Sequence, residues 1–104
     1  MRLNVLTLSM LIQHKQVGHK GKFYVEQNNQ ELAEMVYNMP SPDKMIIEHT
    51  EVDDALRGKN VGMQLVNTAV EYARANNIKI IPLCPFAKSV FDRKPELHDV
   101  LFKP

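Results

Sequence analysis

The chain has 104 residues, of which 44% are hydrophobic and 24% are charged, and its formal net charge is +1. This length and composition fit one globular domain over residues 1–104, and the small net charge excludes a general attraction to nucleic acid or to an anionic membrane. The single cysteine excludes an internal disulfide and favours a cytoplasmic location.

The N-terminal stretch over residues 3–12 is largely apolar, with Thr7 and Ser9 interspersed. It is too short to span a bilayer, and no small-residue cleavage site follows it, so we expect neither a membrane anchor nor a signal peptide. An extra strand or a frayed extension is the expectation here. Residues 1–9 are then a possible appendage to the domain.

A β-hairpin is predicted next in the chain. Residues 23–26 are rich in strand-forming residues, and the neighbouring Asn28 and Asn29 signal a turn. Residues 32–37 alternate in a way that suits the returning strand.

Two prolines, Pro40 and Pro42, predict a turn over residues 39–43, because a central strand does not tolerate proline. Residues 45–52 form the following strand, which makes three antiparallel strands in all. Simple alternation then divides the strand between two faces. One face takes Met45, Ile47, His49 and Glu51, and the other takes Ile46, Glu48, Thr50 and Val52.

The second half of the chain begins with an amphipathic helix. Residues 60–75 carry apolar side chains at helical spacing, and Asn76 and Asn77 can close the helix in a left-handed conformation. Residues 78–83 predict a short strand, parallel to residues 45–52 because a helical crossover joins the two.

A second helix is predicted over residues 86–93, stopped by Pro95, and a final turn covers residues 96–101. The predicted fold class is therefore α+β. It is a mostly antiparallel twisted sheet with one parallel strand addition and two packed helices.

The loop before the first helix contains Arg57, Gly58, Lys59, Asn60 and Gly62. The first turn of a helix has backbone N–H groups without partners, and the helix dipole adds roughly half a positive charge there. The two glycines would let a ligand approach the backbone closely. The loop therefore predicts a site for phosphate or pyrophosphate, although it matches neither the dinucleotide fingerprint nor the P-loop.

This loop resembles the R/Q-x-x-G-x-G/A signature of the GNAT superfamily of acetyl-CoA-dependent acetyltransferases, with Asn60 in place of the middle glycine. Asparagine tolerates a left-handed backbone, so the departure is mild. The stretches HTEV at 49–52, LRGK at 56–59 and IIPLCPF at 80–86 resemble a small, single-domain GNAT subfamily. The resemblance covers roughly residues 19–101.

The resemblance implies that acetyl-CoA or CoA binds at this loop in a GNAT-like fold. Backbone N–H groups would hold the pyrophosphate, and Val52 would pair through its backbone with the pantetheine arm, in a splay between the two parallel strands. The expected contacts are Val52, Arg57, Gly58, Lys59, Asn60, Val61, Gly62, Pro85 and Phe86. No metal cofactor is expected, because the four histidines lack metal-ligand spacing along the sequence.

Cys84 is a candidate catalytic residue. Pro85 suits the first position of a helix, which makes Cys84 the N-cap, where the helix dipole and free N–H groups favour a thiolate. The alternative is a buried residue that acts as a small apolar group. In the resembling subfamily a cysteine at this point faces the CoA thioester, which implies either an acetyl carrier or a group that steers the thioester.

The candidates for the general base are Glu48, His49 and Glu51, because GNAT enzymes often carry a base on the strand before the phosphate loop. Histidine accepts a proton readily near neutral pH, whereas glutamate needs burial to do so. The alternative for each is a polar pair on a solvated face. The helix over residues 86–93 has no tyrosine, which is the residue that commonly protonates the leaving thiolate in this superfamily.

The predicted function is an N-acetyltransferase that moves an acetyl group from acetyl-CoA to an amine. Direct attack is favoured, and a covalent intermediate on Cys84 is a lesser possibility. One alternative is a non-catalytic domain that binds CoA or acyl-CoA, and another is an interaction domain whose loop binds nothing. The expected partners are the CoA donor and an unidentified amine, without nucleic acid or membrane, and the expected state is a monomer or weak homodimer.

Overall fold

The computed structural model describes residues 11–104. The expectations for an N-terminal appendage over residues 1–9, and for most of the stretch 3–12, lie outside this part of the chain. The elements in chain order are β1 (Gln13–Val17), β2 (Lys20–Gln27), β3 (Gln30–Ser41), β4 (Lys44–Val52), α1 (Val61–Asn76), β5 (Lys79–Pro82) and α2 (Pro85–Arg93). Two short 3-10 helices cover Asp54–Leu56 and Pro95–Val100.

The five strands form one sheet in the order β1-β2-β3-β4-β5. The first four strands pair antiparallel, and β5 pairs with β4 in parallel after the crossover through α1. This arrangement confirms the predicted α+β fold class. Strand β1 was not predicted, because its sequence QHKQV shows no apolar alternation and four of its five residues are exposed at the sheet edge.

Both helices contribute to a single hydrophobic core on one face of the sheet. The predicted alternation in β3 is confirmed, since Ala33, Met35 and Tyr37 are buried there. Helix α1 buries Val61, Leu65, Val66, Ala69, Val70 and Ala73. The opposite face of the sheet, called the outer face below, carries residues such as Lys22, Glu34 and His49, and it remains partly or fully exposed.

The turn predicted over residues 39–43 is wrong in its first half. Strand β3 continues through Pro40 to Ser41, and only Pro42 and Asp43 form the turn to β4. The β3–β4 register shifts between Asn38 and Ser41, so exposed Pro40 lies in an irregular part of the ladder. Proline is tolerated at such irregularities because no regular ladder hydrogen bond is needed from its nitrogen.

Asparagine closes two turns as predicted. Asn28 and Asn29 have φ angles of 52° and 64°, the conformation of a tight hairpin turn, and they join β2 to β3. Asn77 adopts φ 56° and donates its N–H to the carbonyl of Ala73, so it caps the end of α1, whereas Asn76 remains helical. Asparagine suits these positions because it tolerates left-handed backbone better than most residues.

An aromatic cluster attaches the edge strand β1 to the core. The imidazole of His14 stacks on Phe23 with ring centroids 4.3 Å apart and meets Tyr72 edge-on at 4.6 Å. Its Nε2 atom lies 2.6 Å from the hydroxyl of Tyr37. The partial burial of the His14 ring against its aromatic neighbours lowers the pKa of His14. Burial raises the pKa of Tyr37 to about 12, with the Tyr72 phenol as a further cause.

The lowered pKa of His14 predicts a loss of stability in mild acid. Because the fold favours the neutral imidazole, the unfolded chain binds the proton more readily as the pH falls below about 6.5. The free energy of unfolding should therefore decrease as the pH falls from about 7.5 to about 5.5. Denaturant unfolding followed by circular dichroism at both pH values measures this change.

The control for this prediction is His14→Phe, which keeps a ring against Phe23 but cannot titrate. The other histidines contribute equally in both proteins, so the difference between the two pH slopes isolates His14. An identical slope in the variant would show that His14 does not carry the effect.

Candidate active site

The site is organised by a bulge in β4. In the β3–β4 ladder Val36 faces His49 and the next residue, Tyr37, faces Ile47, so Glu48 is an extra residue on the β4 side. An extra residue of this kind bends the strand and shifts the faces on which the following side chains lie.

The bulge corrects the predicted division of β4 into two faces. Thr50 and Val52 pair with the buried Met35 and Ala33 and therefore share the helix-covered face with Met45 and Ile47. His49 and Glu51 lie on the outer face instead. Glu48, which was predicted on the other face, also reaches the outer face. Its Oε1 atom accepts a hydrogen bond at 2.7 Å from Nζ of Lys20, which is an outer-face residue.

Strands β4 and β5 separate beyond the bulge. Their pairing ends at Ile47 and Pro82, and the carbonyl of Ile47 then accepts the N–H groups of both Leu83, at 3.0 Å, and Cys84, at 3.1 Å. From Glu48 onward β4 pairs with no β5 residue in the described chain. This opening, bounded by residues 48–52 and 83–84, is called the β4–β5 gap.

The backbone of Val52 is oriented toward the β4–β5 gap. The next residue, Asp53, donates its N–H to the carbonyl of Leu32 on β3 at 2.7 Å. Successive N–H groups of a strand point to opposite sides, so the N–H of Val52 points away from β3. An extended ligand in the gap would therefore find backbone groups with which it could pair.

The anion loop, residues 57–62, has the conformation expected of it. Asn60 is the residue before α1 and adopts φ 59° and ψ 30°, which confirms the predicted left-handed backbone in place of glycine. Gly58 has φ 82°, and a Cβ placed there would meet nothing within 4 Å. The glycine is thus required by its backbone angle and leaves open space above the loop.

Most of the N–H groups predicted to bind an anion are available. Those of Gly58, Asn60, Val61 and Gly62 have no hydrogen-bond acceptor within residues 11–104. The N–H of Lys59 is not available, because it donates to the carbonyl of Leu56 at 3.2 Å. The loop therefore presents four free donors at the positive end of a helix of 16 residues.

The charged side chains of the anion loop are exposed. Arg57 forms an ion pair with Asp54, with both side chains more than three-quarters exposed. In the part of the chain that the structure describes, Lys59 has no ion-pair partner. Lys59 is accordingly the freer of the two cations for an incoming phosphate.

Gly62 serves a purpose that the sequence did not indicate. A Cβ at this position would lie 2.7 Å from Cζ of Phe86, so the glycine makes room for the aromatic ring rather than for a ligand directly. This contact joins the first turn of α1 to the first turn of α2. Phe86 remains 39% exposed and the nearby Leu83 64% exposed, so apolar surface borders the β4–β5 gap.

Cys84 is the N-cap of α2 and Pro85 is at its first turn, as predicted. The Sγ atom accepts a hydrogen bond from the N–H of Ala87 at 3.4 Å and lies 3.3 Å from Oγ1 of Thr50 across the β4–β5 gap. The thiol is also buried, with 5% of the residue exposed. Thr50 was not predicted as a site residue, because only the bulge turns it toward the cysteine.

The three candidate bases differ in their distance along β4 from Cys84. Glu48 directly follows Ile47, whose carbonyl binds the N–H of Cys84. His49 and Glu51 lie farther along the strand and contact each other, with Nε2 and Oε1 3.5 Å apart. The backbone of Glu48 is therefore the nearest of the three to the closed end of the β4–β5 gap, while the side chains of all three lie on the outer face.

Comparisons with known proteins identify this arrangement. The profile of the GCN5-related N-acetyl-transferase family matches residues 22–100. A GCN5-like protein from Staphylococcus aureus, determined in solution by NMR, is 38% identical with a TM-score of 0.68, over 88% of this chain and 89% of that chain. A search of curated proteins finds no significant match.

More distant structures share the fold. One is a Clostridium acetobutylicum protein, predicted to be an acetyltransferase, in complex with acetyl-CoA, with 20% identity and a TM-score of 0.57 over 72% of this chain and 56% of that chain. Tetrahymena GCN5 is 14% identical with a TM-score of 0.60, over 85% of this chain and 63% of that chain.

The fold and the matched residues define the class as that of acetyl-CoA-dependent acyltransferases. The chain belongs to the GCN5-related N-acetyl-transferase family, whose acyl donor is acetyl-CoA. Within residues 11–104, no helix combines the length and apolar character needed to cross a membrane.

The left-handed backbone at Asn60 predicts the effect of two substitutions. Asn60→Gly should keep the loop and its affinity for CoA, because glycine adopts this conformation freely. Asn60→Val should lower the free energy of unfolding by about 1–2 kcal/mol and weaken CoA binding, because a β-branched residue resists positive φ. Thermal unfolding with and without CoA measures both effects.

The wild-type reference for this measurement is a stabilisation of about 2.7 kcal/mol at a CoA concentration of 100 times Kd. Pantetheine, which lacks the pyrophosphate, serves as the ligand control and should stabilise much less. Equal stabilisation by the two ligands, or a valine variant with unchanged CoA affinity, would contradict the assignment of the anion loop.

Proposed function

We propose that this chain transfers the acetyl group of acetyl-CoA to an amine by direct attack of the amine on the thioester. The observation that carries this proposal is the continuity of the site. The anion loop, the β4–β5 gap and the Cys84 thiol follow one another along β4 and the adjoining helix ends. In acetyl-CoA the pyrophosphate, the pantetheine arm and the thioester follow one another in the same order.

The donor would bind through backbone groups at one end and an apolar surface at the other. The N–H groups of Gly58, Asn60, Val61 and Gly62 would hold the pyrophosphate, with Lys59 and Arg57 adding positive charge. Val52 would pair with an amide of the pantetheine arm. Phe86 and the ring of Pro85 would cover the arm from the side of α2, where Phe86 is partly exposed.

The chemical step needs a base that accepts a proton from the amine and a source of a proton for the leaving sulfur. The amine nitrogen attacks the thioester carbonyl carbon, the C–S bond breaks, and the CoA thiolate takes up a proton from water, since α2 has no tyrosine to donate one. The proton lost by the amine would pass to Glu48 through water, since the backbone of Glu48 is nearest the closed end of the β4–β5 gap while its carboxylate pairs with Lys20 on the outer face. His49 and Glu51 lie farther along β4 and are the weaker candidates.

Cys84 would orient the thioester rather than carry the acetyl group. Its Sγ atom is held between the N–H of Ala87 and the hydroxyl of Thr50, and the residue is almost fully buried. A nucleophile must reach the carbonyl carbon, whereas a positioning group needs only a fixed place beside it. The observed contacts support the second role.

Several further features of this protein remain proposals. We propose a single domain over residues 1–104, a cytoplasmic location, and a monomer or weak homodimer without nucleic-acid or membrane partners. The single cysteine supports the cytoplasmic location, and the net charge of +1 supports the lack of nucleic-acid and membrane partners. The lack of a tyrosine in α2 keeps one alternative open, a domain that binds CoA or acyl-CoA without turnover.

The proposed base predicts a large kinetic effect at one position. CoA release from acetyl-CoA should require an added amine, and Glu48→Gln should lower kcat about 10²–10⁴-fold because the attacking amine then lacks a proton acceptor. Thiol release during incubation with a panel of primary amines, including polyamines and lysine peptides, measures the rate.

Two matched controls accompany this prediction. Lys20→Ala removes the same Lys20–Glu48 ion pair but keeps the carboxylate, and it should retain activity. Glu51→Gln removes a carboxylate from the outer face and should also be active. Loss of activity in Glu51→Gln alone would identify Glu51 as the base instead. Binding of CoA without turnover of any amine would favour the alternative, a domain that binds CoA without catalysis.

The proposed role of Cys84 predicts an intermediate loss of activity. Cys84→Ala should lower kcat/KM about tenfold, which corresponds to a loss of about 1.4 kcal/mol of transition-state stabilisation. The intact mass of the wild type, measured in the presence of acetyl-CoA, should show no acetyl-enzyme. Cys84→Ser, which can keep the contacts to Thr50 and Ala87, should recover part of the rate. An acetylated wild type together with a nearly inactive alanine variant would instead indicate a covalent carrier.

A further inference from the structure

Three potential metal ligands meet on the outer face of the sheet, away from Cys84. Glu34 of β3 directly faces Glu51 of β4, and the Glu48 bulge places His49 on the same face, two residues before Glu51. One ligand atom from each of the three side chains lies within 4.8 Å of the other two. These residues, Glu34, His49 and Glu51, are called the outer triad.

The charges of the outer triad are only partly balanced by the nearby protein. Two carboxylates directly opposite each other in an antiparallel pair repel one another. The adjacent cation, Lys22, lies 2.6 Å from Glu31 but 3.7 Å from Glu34, so it pairs mainly with the carboxylate outside the triad. A bound cation would replace this repulsion with attraction.

The surroundings of the outer triad also favour a cation. Two of its members, Glu34 and Glu51, line an open cleft of about 540 Å³ beside the ends of β3 and β4. The other polar lining residues, Glu31, Asp53 and Asp54, are acidic as well. The cleft leaves room for water molecules to complete the coordination of an ion, and its negative potential would concentrate cations.

We propose that the outer triad binds one divalent transition-metal ion of the zinc class. An imidazole nitrogen together with carboxylate oxygens suits Zn²⁺, Co²⁺ or Ni²⁺, whereas Mg²⁺ and Ca²⁺ prefer oxygen ligands alone. Ligand bonds of about 2.0–2.2 Å require the three atoms to draw closer than they now lie. The half-exposed side chain of His49 and the more exposed side chain of Glu51 are free to make that small movement.

The backbone beneath the outer triad supports this assignment. All three residues lie in paired segments of two central strands, so their Cα positions are held by the ladder. The single thiol of the chain is on the helix-covered side and cannot compete at this site. Because the outer triad lies on the face of the sheet opposite Cys84, the proposal assigns the ion no step in acetyl transfer, and its binding can be tested without measuring activity.

The test is a calorimetric titration of the full-length protein with ZnCl₂ at neutral pH in a non-chelating buffer. We expect one ion per chain, and no detectable binding of MgCl₂ at the same concentrations. Glu34→Gln and His49→Asn should each weaken Zn²⁺ binding at least tenfold. Asp53→Asn is the matched control, because it removes one negative charge from the same cleft without removing a triad ligand or releasing Lys22 from Glu31, and it should weaken binding less than threefold.

Each contrary result would overturn the proposal in a different way. An Asp53→Asn variant that binds Zn²⁺ as weakly as Glu34→Gln would show diffuse attraction by the acidic cleft. Equal binding of Mg²⁺ would show that the imidazole is not a ligand. Retention of Zn²⁺ by both Glu34→Gln and His49→Asn would place the ion elsewhere. Circular dichroism of each metal-free variant establishes that it is folded before titration.

Discussion

The extra residue at Glu48 is the constraint on which the rest of this site depends. Without the bulge, β4 would present His49 and Glu51 to the core and would turn Thr50 and Val52 to solvent. With it, the hydroxyl of Thr50 reaches Cys84 at 3.3 Å, and the charged residues remain in water. One inserted residue thus decides which side chains belong to the β4–β5 gap and which belong to the outer triad.

The separation of β4 from β5 leaves backbone groups available in the middle of the protein. Strand β5 has only four residues and ends at Pro82, and the carbonyl of Ile47 binds both following N–H groups. Helix α2 starts at this point, and the contact of Phe86 with Gly62 brings its N-terminus against that of α1. Two positive helix ends therefore converge on one opening, which suits an anionic ligand with an extended arm.

The two faces of the sheet carry different chemistry. The helix-covered face buries the core and holds Cys84 and Thr50 in a nearly dry environment. The outer face holds ion pairs such as Lys20–Glu48 and Lys22–Glu31, which water screens and which contribute little to stability. Family membership accounts for the chemistry of the helix-covered face. The outer triad depends on the particular residues that this chain places on the outer face.

The sequence alone determined the features that depend on neighbouring residues. Pro85 predicted the start of α2 with Cys84 as its cap, Asn60 and Asn77 predicted left-handed backbone, and helical spacing predicted α1. Only the tertiary structure decided the Glu48 bulge, the opposite faces of Thr50 and His49, and the meeting of Glu34 with Glu51. A cap or a turn is set by contacts within a few residues, whereas strand register is set by pairing with a distant segment, which local periodicity does not encode.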